Sequence, residues 1–147
     1  MLGLGKSVGT PRRGVKAEVV LVPDVAAIDR LGEAAKGKIV AVTQAMPAYD
    51  YEHDTSHYGE AVQPRIHAAS RAAKLGAKAV LIRSVTATNY RLPHTGTLRY
   101  AEDAPKIPAA ALSPEDMMYL QRVAQRDQKI EVLLKMEARN LPDRARA

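Results

Sequence analysis

Apolar positions recur along this chain with two periods, and the switches between them predict its elements. Residues 17–22 (AEVVLV), 38–42 (KIVAV), 79–82 (AVLI) and 107–112 (IPAAAL) are short apolar runs, the pattern of strands buried on both faces. Between 129 and 138 the period becomes a strict two. Ile130, Val132, Leu134, Met136 and Ala138 alternate with a face carrying Lys129, Glu131, Lys135 and Glu137, as in a strand with one wet side.

Helical spacing fills the intervals. Asp24 is placed to cap a short helix bearing Val25, Ile28 and Leu31. From 61 to 75, Val62, Ile66, Ala69 and Ala73 form an apolar stripe and Gln63, His67, Ser70 and Lys74 a polar one, with Pro64 tolerated in the first turn. Ser113-Pro114-Glu115-Asp116 supplies a capping hydroxyl, a proline at the first helical position and acids facing the helix dipole, starting a helix that runs to about 126. Buried and half-buried strands interleaved with three helices predict an α/β fold, a mixed sheet with helices packed against it.

Composition sharpens the core. The 147 residues suit one domain, and with Phe and Trp absent its interior must be Val, Ile, Leu, Met and Ala. No stretch approaches the roughly 18 apolar residues of a membrane span, and the opening Met1 to Lys6 lacks the apolar run of a signal peptide. Without cysteine there are neither disulfides nor thiolate metal sites.

The net charge of +6 gathers at the ends. Lys6, Arg12, Arg13 and Lys16 stand without an acid in residues 1–16, and Arg139, Arg144 and Arg146 face only Asp143 in 139–147. Residues 17–138 hold 15 basic and 15 acidic side chains, which is not the concentrated basic face that phosphate binding leaves on a domain. The expected organisation is a domain over 17–138, a solvated basic flank over 1–16 and a linker over 139–147, with neither nucleic acid nor membrane as partner.

Candidate chemistry concentrates in two connections, 43–60 and 84–106, much longer than the usual four to six residues. They carry Tyr49, Tyr51, Tyr58, Tyr90 and Tyr100, together with His53, His57 and His94. Tyrosines in such loops either pin them to the body or form a recognition surface. His53 and His57 are four apart, a spacing that aligns two metal ligands only on a helix, whereas their neighbours are loop formers and no third ligand is identifiable. His67 falls on the polar stripe of its helix and is expected to be solvated. No serine lies in a Gly-x-Ser-x-Gly elbow, and Gly3-Leu4-Gly5-Lys6-Ser7 lacks phosphate-loop spacing. Arg91-Leu92-Pro93-His94-Thr95-Gly96 is the most distinctive run: Pro93 fixes one dihedral and Gly96 allows positive φ, presenting His94 and Thr95 at a rigid tip.

In order along the chain, Ser7-Val8-Gly9-Thr10-Pro11, Ala17-Glu18-Val19-Val20, Gly37-Lys38-Ile39-Val40, Ala72-Ala73-Lys74-Leu75-Gly76-Ala77, Leu81-Ile82-Arg83-Ser84-Val85, Pro93-His94-Thr95-Gly96, Pro105-Lys106-Ile107-Pro108 and Leu134-Lys135-Met136-Glu137-Ala138 resemble one known segment. It is the protease-associated (PA) domain of zinc-dependent exopeptidases of the carboxypeptidase Q (plasma glutamate carboxypeptidase) type. The chain departs from that family at Pro64, where an aromatic is usual, at Ala68, where glycine is expected, and in a longer 43–60 loop.

The resemblance implies a swivelling β/β/α domain that is not catalytic, has no metal ligands or cofactor of its own, and sits as a lid beside a two-zinc peptidase domain. It implies a secreted or periplasmic parent, with that peptidase domain and a peptide or partner protein as partners. Tyr90, His94, Thr95 and Tyr100, with Tyr58 from the other loop, are the contacts expected at the cleft edge. A free-standing protein-interaction module using the same loops is the alternative, ahead of a nucleic-acid-binding domain that would rest only on the charged ends.

Overall fold

The four continuous apolar runs become the parallel centre of a sheet. The computed structural model describes residues 1–88 and 90–141. Its strands β1 (Leu2–Gly3), β2 (Val15–Val22), β3 (Ile39–Val42), β4 (Ala79–Arg83), β5 (Ala109–Leu112) and β6 (Glu131–Leu134) lie in the order β1-β5-β4-β3-β2-β6. Strands β2 to β5 pair in parallel, while β1 and β6 run antiparallel at the two edges, so the sheet is mixed as expected.

Both faces of the centre are covered, and the period of two distributes the core between them. Val40, Val42, Val80 and Ile82 join one cluster with Ile28, Ala68, Ala69 and Ala72 from the helices α1 (Val25–Asp29) and α3 (Gln63–Lys74). Ile39, Ala41, Ala79 and Leu81 face the other side, with Met117 of α4 (Pro114–Ala124) and Leu134. Each large aliphatic side chain so buried contributes on the order of 1.5–3 kcal/mol. The alanines of α3 let its backbone approach the sheet, so a core without Phe or Trp still closes.

Local signals behave as their chemistry dictates. Asp24 accepts from Ala27 N at 2.7 Å and Ser113 from Asp116 N at 3.2 Å, each capping its helix. The 61–75 helix begins earlier and in two pieces: a single turn, α2 (Tyr58–Ala61), precedes α3, and Pro64 lies in the first turn of α3. Ser70, placed by periodicity on the polar stripe, is buried and its Oγ accepts from Ala101 N at 2.8 Å, because the 84–108 connection folds back over that face. His67 is exposed, as expected.

The expected flank is the larger difference. The cations Lys6, Arg12, Arg13 and Lys16 are indeed exposed, but residues 2–10 are woven into the body: Leu2 and Gly3 extend the sheet, Leu4 and Ser7 are buried, and Thr10 exchanges hydrogen bonds with Met136. The alternation predicted over 129–138 persists in burial through Ala138, yet ladder pairing ends at Leu134, after which Thr10 replaces a strand partner for Met136. Residues 142–147 of the expected linker lie outside the described residues. Among the described residues no helix is long and apolar enough to cross a membrane.

Candidate functional site

Both long connections leave the carboxyl ends of parallel strands, β3 and β4, and α4 starts just beyond the carboxyl end of β5. In open α/β sheets that is the end where loops build ligand sites, since the helices cover the faces.

One side chain joins the two loops there. Arg65, in the first turn of α3, donates from Nη2 to the Tyr58 hydroxyl at 2.5 Å and holds its Cζ 5.7 Å from the centre of the Tyr58 ring. The same guanidinium lies against Gly96, where a Cβ would stand 2.6 Å from Cζ. The guanidinium can stand this close only because residue 96 has no Cβ. The positive φ expected there is absent; in that run it is Arg91 that adopts the left-handed region, at φ 51°.

The tip itself is clamped by groups other than the expected Pro93 and Gly96. His94 N donates to Oγ of Ser84, which is fully buried and donates in turn to Leu112 O at 2.6 Å. Thr95 Oγ1 donates to Gly3 O at 2.9 Å, Gly5 N to Gly96 O at 2.9 Å, and Leu98 N to Gly5 O at 3.1 Å. The amino-terminal segment thus fixes the loop from below, and His94 and Thr95 remain exposed above it.

Farther along the same end, Arg91 N donates to Glu115 Oε1 at 2.9 Å and its Nε lies 3.7 Å from Asp116, tying the loop to the start of α4. Burial draws the Arg83 guanidinium below its ordinary pKa, and the Glu115 carboxylate opposes that shift. Tyr90, one residue before this tie, is 75% exposed.

Of the five residues expected at one edge, the structure gathers Tyr58, His94 and Thr95 about Arg65 and Gly96, with Tyr90 on the neighbouring turn. Tyr100 stands elsewhere, at the amino end of β5: its hydroxyl donates to Ile107 O at 2.6 Å and accepts from Val8 N at 3.1 Å. It pins chain segments together and has spent its hydroxyl doing so. Arg65, Ser84 and Glu115 carry the geometry and are not among the five expected contacts. Arg65 did leave a signal, because it follows Tyr58 by seven residues, two helical turns, which places both on one side.

The 43–57 loop is held by its own residues. Asp50 and Thr55 exchange backbone hydrogen bonds, Tyr49 donates to Asp54, and Tyr49 and Tyr51 meet edge to face at 4.9 Å. Asp50 Oδ2 engages His53 Nδ1 at 2.8 Å, and that contact holds the Asp50 carboxyl below its usual pKa. His53 is therefore committed to Asp50, and among the described residues no three His, Asp or Glu side chains converge on a point where a metal ion could sit.

The Arg65 bridge makes a direct prediction. Gly96→Ala displaces only the end of a flexible side chain, so its cost to stability should stay within about 1 kcal/mol. The Tyr58 ring should nonetheless lose its cation, seen as a shift of its ring proton resonances in NMR. Unmoved Tyr58 signals would show that the two loops are not coupled through Arg65.

No protein-family model matches the chain. Over 143 residues it is 46% identical to carboxypeptidase Q of Xenopus laevis and 41% identical to that of Homo sapiens, with 97% of this chain covered in both alignments. The chain spans only 29% and 28% of the length of those two relatives. Among solved structures, an M28 peptidase precursor from Shewanella amazonensis superposes with a TM-score of 0.83 at 29% identity, covering 90% of this chain and 30% of that one. The zinc aminopeptidase BSAP from Bacillus subtilis shares the fold, with a TM-score of 0.55 at 22% identity over 91% of this chain and 26% of its own. Sequence and fold agree that the chain corresponds to one segment of carboxypeptidase Q-like M28 peptidases.

Proposed function

We propose that the chain is a protease-associated accessory domain of a carboxypeptidase Q-like zinc exopeptidase, which shapes access to an active site carried by another part of the parent. The observation that carries this is the match of 97% of the chain to a segment making up 29% of carboxypeptidase Q, combined with a fold in which no metal-ligand group forms among the described residues. The chemistry a bound zinc would supply, polarising a scissile carbonyl and lowering the pKa of a water, would belong to that other part. This chain contributes a rim. Tyr58, His94 and Thr95, fixed around Arg65 and Gly96, are offered toward a peptide substrate or partner protein by loops too well clamped to need ordering on contact. The parent in this reading is secreted or periplasmic.

Two measurements test the proposal. The purified chain incubated with zinc and a panel of dipeptides should show no turnover, whereas hydrolysis at enzymatic rates that a chelator abolishes would overturn its accessory status. In the full-length parent, His94→Ala with Thr95→Ala should raise KM several-fold and leave kcat nearly unchanged, the signature of lost uniform binding. Unaltered kinetics would remove the rim from substrate recognition.

A further inference from the structure

At the opposite end of the sheet, where the parallel strands begin, stand four lysines, Lys16, Lys38, Lys78 and Lys106. Lys38 and Lys78 immediately precede β3 and β4, joined by a hydrogen bond from Lys78 N to Lys38 O at 2.8 Å, so two like charges stand side by side. Like charges on neighbouring strands oppose folding. Glu18 relieves Lys38 at 3.2 Å, and Glu131 relieves Lys16 at 2.8 Å. Lys78 and Lys106 have no carboxylate within salt-bridge distance among the described residues.

These lysines rim a hollow of about 560 Å³. Its floor is apolar, formed by Val8, Val15, Ile107 and Pro108, and its rim holds the exposed Pro11, Lys16, Lys78 and Lys106 with no acidic residue in the lining. One side is built before any ligand arrives. Tyr100 ties Val8 to Ile107 through its hydroxyl, and Lys106 Nζ rests 6.0 Å from the centre of its ring. A cationic rim around an apolar floor fits a ligand that is itself anionic outside and apolar at its anchor.

We propose that this hollow docks an acidic segment of a partner protein, its carboxylates on Lys78 and Lys106 and an aliphatic side chain on Val8, Val15 and Ile107. A sulfated glycan or nucleic acid would meet an aliphatic floor that offers it neither donors nor an open aromatic face to stack on. The acidic peptide satisfies both halves of the site. Because the hollow lies at the far end of the sheet from the rim, its failure would leave the accessory function untouched.

The test is an NMR titration of the whole chain with an acetylated hexapeptide of alternating Leu and Glu. Saturable shifts should appear at Val8, Val15, Lys78 and Ile107, and Lys78→Glu with Lys106→Glu should weaken binding roughly tenfold. Lys106→Gln, which keeps the aliphatic stem, should give a smaller loss on an undisturbed fold, while Lys129→Glu, outside the hollow, should change nothing. Failure to saturate, equal binding of a Ser–Glu peptide lacking the apolar anchor, or tighter binding of a heparin fragment to the same lysines would each overturn the proposal.

Discussion

Gly14→Val should lower the melting temperature by on the order of 10 °C, one of the largest effects of any single change outside the central strands. Gly14 closes the turn begun at Pro11, its N donating to Pro11 O at 2.7 Å, and sits at φ +79° immediately before β2. A β-branched residue there is strained by about 1–2 kcal/mol or more. A Cβ would also stand 2.8 Å from Leu134 O and 2.9 Å from Leu133 Cδ1. The oxygen belongs to backbone and has nowhere to go, so the β2–β6 pairing must open. Together these cost roughly 3–4 kcal/mol, and each kcal/mol is worth about 2–4 °C at this size. Gly37→Val separates the two causes, because Gly37 has φ +74° with nothing near its would-be Cβ. Equal melting of the two variants would mean that close approach at Gly14 contributes nothing.

Met117→Ala is the second large effect, and it has a functional consequence. Pro114 and Met117 are the buried residues of α4, and Met117 is fully so. Removing its side chain leaves a cavity beneath the helix at a cost of about 2–5 kcal/mol. The amino end of that helix holds Arg91 through Glu115 and Asp116, so loosening α4 should also free the Tyr90–Arg91 turn. Hydrogen exchange should accelerate both in 114–124 and around Arg91. Protection that stays intact at Arg91 would show that the loop is ordered without α4.

The two variants act on different links. Gly14 holds an edge strand to the sheet, and Met117 holds a helix whose end in turn holds a loop. Neither touches Tyr58, Arg65 or Gly96, so the rim should survive Gly14→Val at temperatures below its melting.

Local chemistry and periodicity suffice for the individual elements. The β-branched and alanine-rich runs became the central strands, Asp24 and Ser113 capped their helices, and the alternation from Ile130 to Ala138 survives in burial even where the ladder stops. Each follows from interactions among residues a few positions apart. Which distant segments meet is set by long-range packing. That residues 2–10 complete the sheet, that Arg65 bridges Tyr58 to Gly96, that Ser70 is buried under the second loop, and that Lys78 and Lys106 share one hollow all depend on chain separations of about thirty residues or more. Over such distances neither helical nor strand period carries information. The charge balance along residues 17–138 is silent for the same reason: it counts acids and bases in order, whereas folding decides which lysines meet a carboxylate, as Lys38 meets Glu18, and which do not.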